Sequence, residues 1–177
     1  MKKFFLSLII CFSVFSYSQK RVLINNLSTL PVTIIAINTV GTSNAQYPSI
    51  RSETPSNLII PASQSRTMQS PTSNVTQFPF NSTSSSIQYT SWRRFTSGTT
   101  SSTAPNNSGN ITTLYGNGNK FNFAEITVGT LNYKIGTGLN NSSSTSFTGT
   151  SGTTNFTITY SENVIAPGNI QYIIQIN

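Results

Sequence analysis

Histidine and aspartate are absent from this chain of 177 residues, and its single cysteine, Cys11, lies in the N-terminal apolar run. Acidic residues are rare, since only Glu53, Glu125 and Glu162 occur. Histidine is the usual proton shuttle near neutral pH, and histidine, cysteine and aspartate supply most metal ligands and activated nucleophiles. Because these side chains are missing, we predict no catalytic residue, no metal site and no cofactor, and we expect a protein that is not an enzyme.

The lack of cysteine after residue 11 also excludes disulfide bonds from the rest of the chain. Small secreted domains often use disulfides where the hydrophobic core is inadequate. The stretch 19–177 is long enough to manage without them, because a domain of roughly 150 residues buries about two-thirds of the surface of its unfolded chain. We therefore expect a single domain that is held together by burial and hydrogen bonding.

The first eighteen residues have the features of a bacterial export signal. Two lysines precede an apolar run, and small residues stand at Ser16 and Ser18, the −3 and −1 positions of a cleavage site before Gln19. The run has about a dozen apolar residues, fewer than the ~20 that span a bilayer. A lipoprotein signal would need small residues before Cys11, where isoleucines stand. We predict a signal peptide at 1–18, cleaved after Ser18, and a secreted or cell-surface protein.

Charge is sparse and mostly positive. Loss of the two leader lysines reduces the 10 basic residues to 8, against 3 acids, which leaves a net charge of about +5. These basic residues are scattered, whereas a nucleic-acid-binding protein carries a dense basic stripe along the phosphate backbone. We therefore expect no nucleic-acid partner. The surface must be solvated mainly by hydroxyls and amides, which suits contact with sugars or packing against extracellular partners.

The chain is rich in β-branched and aromatic residues that recur at period two, the pattern of half-buried strands. No helix is predicted after the leader. The predicted strands are 21–25, 31–40, 58–60, 65–69, 87–95, 111–115, 120–128, 131–135, 156–160 and 170–176. Eight to ten short strands at this spacing predict an all-β domain at 19–177, an antiparallel β-sandwich or jelly-roll-like fold.

Two strands have distinctive patterns. In 31–40, Val32 and Ile34 share one face and Ile37 takes the other, which predicts a central strand covered on both sides. In 120–128 the apolar phase changes between Phe123 and Ile126, which predicts a β-bulge. The Gly-Asn-Gly-Asn sequence at 116–119 predicts a tight turn before this strand.

Two connectors, at about 97–109 and 140–154, are nearly uncharged and rich in Ser, Thr, Asn and Gly. We interpret both as long loops, which in compact domains are functional or mobile.

The most distinctive local cluster predicts a ligand-binding site at Tyr89, Trp92, Arg93, Arg94 and Phe95. An aromatic face beside guanidinium groups can stack on a sugar ring, hold a phosphate or sulfate, or lie at a lipid headgroup layer. In the alternative interpretation, Trp92 fills one end of the core while the arginines lie in solvent or pair with glutamates.

Glu125 and Glu162 are the two acids in strand-rich regions. A pair of carboxylates at a suitable separation can hydrolyse a glycosidic bond. Because the chain has no further acid to orient or tune such a pair, we expect structural ion pairing instead, with no catalytic residue.

These patterns favour a secreted, non-enzymatic binding or adhesion module that recognises a glycan or another surface polymer. One alternative is a structural subunit that self-associates by strand pairing. Another is a membrane-active, pore-forming-like sandwich, because basic β-proteins with aromatic clusters can dock on lipid.

Overall fold

The structure is a computed structural model that describes residues 20–41, 45–69, 89–99, 101–105, 120–137, 143–166 and 168–177. The predicted leader, the strand at 111–115 and the turn at 116–119 lie outside these residues. The described residues form twelve strands and no helix. The predicted all-β class is confirmed.

The strands are short, with one exception near the C-terminus. They are β1 (Lys20–Asn26), β2 (Val32–Val40), β3 (Ser49–Thr54), β4 (Leu58–Ile60), β5 (Gln64–Gln69), β6 (Ser91–Phe95), β7 (Ser101–Pro105), β8 (Lys120–Val128), β9 (Leu131–Gly136), β10 (Ser146–Ser151), β11 (Thr154–Ala166) and β12 (Asn169–Ile176).

Two packed sheets make up the fold. The five-stranded sheet has the order β10-β11-β12-β1-β5, and the seven-stranded sheet has the order β7-β6-β3-β2-β8-β9, with β4 also paired to β2. Pairings between these strands are antiparallel except that β1 runs parallel to β12. The predicted β-sandwich is therefore confirmed.

The core lies between the sheets and consists of the apolar residues that face inward from each strand. Alternate residues of β1 are buried, and on β12 the predicted stripe is confirmed, with Tyr172, Ile174 and Ile176 at 2%, 0% and 0% exposure. Full burial of such a side chain stabilises the fold by about 1.5–3 kcal/mol. The opposite face of the five-stranded sheet carries mainly hydroxyl and amide groups, as at Thr148 and Thr157, which lie opposite each other on β10 and β11.

A β-bulge in β2 changes which of its residues face the core. Ile34 and Ala36 pair with consecutive residues of β8, so Ile35 is the extra residue. The bulge moves Ile37 to the core face with Val32 and Ile34. The central position predicted for this strand is confirmed, but the opposite face predicted for Ile37 is wrong.

A second bulge lies in β8, where Asn122 is the extra residue between Phe121 and Phe123. The bulge turns Phe121 into the core, and Phe123 is buried outside the core cluster, near Lys134 of β9. The predicted phase change of this strand is present, but it occurs at Asn122, before Phe123.

The connectors predicted to be loops each contain a strand, which corrects that interpretation. β7 lies within 97–109 and β10 within 140–154, and both are edge strands. β3 was also missed, because Ile50 is its one large apolar residue. All three strands are held by backbone pairing with a neighbour rather than by an apolar stripe, so periodicity in the sequence does not reveal them.

Buried tyrosines should make the fold sensitive to alkali. Burial raises the pKa of Tyr89 to about 12, and the pKa values of Tyr160 and Tyr172 are also raised, chiefly by burial. An unfolded tyrosine loses its proton near pH 10. Between pH 10 and 12 the folded state therefore holds more protons than the unfolded state, so stability that is complete below pH 10 declines through this window.

We expect the urea midpoint, followed by circular dichroism, to be constant from pH 8 to 9 and to fall by pH 11. Tyr89→Phe should make this fall shallower. An unchanged midpoint at pH 11 would contradict the prediction.

Candidate functional site

The structure divides the predicted aromatic–arginine cluster between two environments. Trp92 and Tyr89 are 1% and 3% exposed and belong to the core, where their rings meet edge to face with centroids 5.3 Å apart. Neither ring is accessible to a ligand in this arrangement. Trp92 therefore fills the core, as in the alternative interpretation. This corrects the prediction that Tyr89 and Trp92 present an aromatic face to a ligand.

The remaining members of the cluster also separate, because successive side chains of a strand point to opposite faces. Arg93 and Phe95 lie on the outer face of the seven-stranded sheet, and Arg93 forms an ion pair with Glu53. Arg94 lies on the same side of β6 as Trp92, and its buried Nε has no hydrogen-bond partner among the described residues.

A row of paired residues crosses the outer face of the seven-stranded sheet. Asn38 of β2 pairs in register with Arg51 of β3 and with Phe123 of β8, and Arg51 pairs in turn with Arg93 of β6. Residues that are far apart in the sequence thus become neighbours. We call this row of four residues and the depressions beside it the Arg51 face.

Arg51 lies at the centre of this face. Its Nη2 donates a hydrogen bond of 2.7 Å to Oε2 of Glu125, and the two side chains are 37% and 21% exposed. Arg51 also lines two depressions that follow each other along β3. Arg51 is therefore shared by both depressions.

The first, which we call the Lys134 depression, encloses about 160 Å³. Its lining comprises the cations Arg51 and Lys134, the rings of Tyr47, Phe95 and Phe123, and the residues Asn38, Gln46, Ser49, Gly98 and Asn122. Among the described residues, none with a carboxylate belongs to this lining. This depression therefore combines positive charge, planar amides and aromatic surface in one place.

The second, which we call the Glu53 depression, encloses about 210 Å³. Ile35, Ser52 and Ser56 line it together with Arg51 and the ion pair between Arg93 and Glu53. It contains charges of both signs, whereas the Lys134 depression contains cations alone.

Lys134 lies opposite Glu125 in the register of β8 and β9, but no ion pair joins these two residues in the described part of the chain. Its Nζ lies 5.6 Å from the centroid of the Phe123 ring, a cation–π distance. Among the described residues, Glu125 forms its ion pair with Arg51. The ammonium group of Lys134 therefore has an aromatic neighbour and no described carboxylate partner.

The bulge in β8 supports this side of the face. Asn122 donates to Oδ1 of Asn38 at 3.0 Å and accepts from the hydroxyl of Thr137 at 3.2 Å. At Gly136, a Cβ atom would lie 2.1 Å from the carbonyl oxygen of Asn122, so glycine is needed for the close approach of β9. These contacts orient the side chain of Asn38 on the outer face.

Glu125 and Glu162 are not brought together. Glu125 lies on the outer face of the seven-stranded sheet, paired with Arg51. Glu162 lies on β11 of the other sheet and accepts a hydrogen bond from Tyr160, whose ring stacks on Phe121 between the sheets. The thickness of a sandwich, about 10 Å between its sheets, thus lies between the two positions.

Sequence reasoning found Phe95 and Arg93 but missed Arg51, Lys134 and Tyr47. The signal that identifies Arg51 is the alternation of Arg51 and Glu53 on β3. That alternation becomes visible only once the segment is known to be a strand.

A larger depression of about 440 Å³ lies against β10 and β11, and the described residues that line it, which include threonines, Asn155, Phe156 and Asn177, carry no charged side chain. Among the described residues, no group of three or more His, Cys, Asp or Glu side chains is arranged to hold a metal ion. No helix in the described part of the chain has the length and apolar character needed to cross a membrane. The chain matches no protein-family model, no curated protein and no solved structure.

Proposed function

We propose that this protein is a secreted, non-enzymatic adhesion or binding module that recognises an extracellular glycan or another surface polymer through the Arg51 face. The observation that carries the proposal is the pair of depressions that share Arg51 along β3. Guanidinium groups line both depressions, and amides and aromatic rings line the Lys134 depression as well. Such a surface can bind sugar hydroxyls through its amides and guanidinium groups and can pack against the apolar face of a sugar ring.

The size of the depressions supports a polymer ligand. Each is smaller than the ~300–1,000 Å³ of sites that enclose a drug-sized molecule. Each therefore fits one small unit, and two in succession suit a ligand with repeated units. A polymer that lay along β3 would contact Arg51 from both sides.

The ion pairs on this face add too little to the stability of the fold to explain why they are present. The Arg51–Glu125 pair is partly exposed, and such pairs contribute only about 0–1 kcal/mol. What the pair does provide is orientation, because Glu125 fixes the position of the guanidinium group between the depressions.

Phe95→Ala is the variant that tests the proposal. Purified protein comprising 19–177 is screened against neutral and acidic polysaccharides, and affinities are measured by calorimetry, because Trp92 is buried and its fluorescence should not report ligand contact. We expect Phe95→Ala to weaken binding about tenfold, since one well-packed aromatic contact contributes on the order of 1–1.5 kcal/mol. Thr159→Ala, on the other sheet, is the control and should bind as the parent does. Absence of binding to every polymer would refute the proposal.

Self-assembly is a second candidate function, favoured by the end of β11. Thr159 is the last residue of β11 that pairs with β10, and β11 continues beyond it to Ala166. In this continuation, its partner strand among the described residues is β12. Val164 and Ile165 there are 63% and 57% exposed. An exposed strand edge with apolar side chains is a template for pairing with another chain. Light scattering that shows a strict monomer at high concentration would remove this candidate.

A further inference from the structure

We propose that the Arg51 face selects acidic glycans, and that the Lys134 depression binds the carboxylate of a uronic-acid-type sugar between Arg51 and Lys134. This inference rests on the proposed function and names the ligand class of the same site.

The Lys134 depression is positively charged. Two cations line it and no carboxylate does, although a carboxylate is present in the adjacent Glu53 depression. Glu125 offsets the charge of Arg51 from outside the lining, while Lys134 has no described carboxylate partner. One uncompensated positive charge remains, and a single carboxylate would neutralise it.

Arg51 and Lys134 also bring hydrogen-bond donors to this depression. A guanidinium group carries five N–H donors, and the described contacts of Arg51 use one of them, toward Glu125. Lys134 adds an ammonium group that lies over the ring of Phe123. Charge-assisted hydrogen bonds from two such groups to one carboxylate are about twice as strong as neutral ones. The depression thus holds strong donors that the fold itself does not consume.

The neighbouring surfaces distinguish a sugar carboxylate from a bare anion. The rings of Tyr47 and Phe95 provide apolar surface for the C–H face of a sugar, and the amides of Asn38 and Gln46 can meet its hydroxyls. An inorganic anion would use the cations alone. A carboxylated sugar uses all three kinds of group.

The test compares three polymers of matched length: a polyuronate, the same polymer with its carboxyl groups reduced to alcohols, and a sulfated polysaccharide. Calorimetry is carried out at 20, 150 and 500 mM NaCl. We expect the polyuronate to bind at least tenfold more tightly than its reduced form, with an affinity that falls as salt screens the charges.

Lys134→Gln is the decisive variant, because it leaves the Arg51–Glu125 pair intact. We expect it to weaken polyuronate binding about tenfold and to weaken binding of the reduced polymer much less, because a hydroxyl offers Lys134 a hydrogen bond but no opposite charge. Arg51→Gln should weaken binding of both. Arg66→Gln removes the same unit of charge on β5, in the other sheet, and should have no effect.

The outcomes separate this inference from the proposed function. Equal binding of the polyuronate and its reduced form, unaffected by Lys134→Gln, would overturn the inference and leave glycan binding standing. Preference for the sulfated polymer would overturn the assignment of a carboxylate. An equal loss in Arg66→Gln would show non-specific attraction and overturn the site, and absence of binding to all three polymers would remove the proposed function as well.

Discussion

Trp92→Ala is expected to lower the free energy of unfolding by about 3–5 kcal/mol, the range for truncation of a large buried aromatic residue. Trp92 is 1% exposed, packs edge to face with Tyr89 and lies in the core cluster between the sheets. Its removal leaves a cavity that the rigid sheets cannot close. Because typical domains are stable by only 5–15 kcal/mol, this loss is a large part of the total.

Phe95→Ala is the matched control, since Phe95 lies three residues away on the outer face of the same strand. We expect it to change stability by less than about 1 kcal/mol, as surface substitutions usually do. Urea unfolding is followed by far-UV circular dichroism, because Trp92 is the single tryptophan of the chain. If Trp92→Ala kept its stability but lost ligand binding, the core assignment would be wrong and the predicted stacking site would be restored.

Asn26→Ala is expected to cost about 2–4 kcal/mol, because it removes a hydrogen-bond partner from one buried and two partly buried backbone carbonyl groups, and a buried group left without a partner costs about 1–3 kcal/mol. The side chain of Asn26 is fully buried. Its amide nitrogen donates to the carbonyl oxygens of Leu30, Ile60 and Pro61, at 2.8, 3.1 and 3.0 Å. Its Oδ1 accepts from the hydroxyl of Ser28 at 2.7 Å. The residue thus ties the end of β1 to the turn before β2 and to the end of β4.

Asn25→Ala provides the comparison from the neighbouring position. Asn25 accepts one exposed hydrogen bond from Ser65, so its loss should cost well under 1 kcal/mol. Asn26→Asp should destabilise more than Asn26→Ala, because a carboxylate oxygen would face carbonyl oxygens in a buried place. Urea midpoints measure all three variants. Equal midpoints for Asn25→Ala and Asn26→Ala would contradict the role assigned to this network.

Most strands with an apolar stripe can be found from the sequence, whereas β3, β7 and β10, which lack one, cannot. β8 begins and ends at the predicted residues, and β12 carries the predicted stripe. The segments of β7 and β10 are predicted to be loops because their sequences show no apolar alternation. Both are edge strands, which can be held by backbone pairing without a buried stripe. Pairing of this kind leaves no periodic signal in the side chains.

The candidate site was harder to predict than the fold, because it is assembled across strands. Asn38, Arg51, Phe95 and Lys134 come from four strands and become neighbours only through their registers. Two bulges in the pairing of β2 and β8 shift those registers by one residue. A shift of one residue reverses every side chain that follows it.

The amino-acid sequence alone established which chemistry is available and that the chain forms strands, because composition and period-two alternation are local properties. Tertiary structure alone decided that Trp92 points into the core and that Arg51, Lys134 and Phe95 meet on one face. The physical reason is that the facing of a side chain depends on bulges and strand pairing, which join residues distant in the chain.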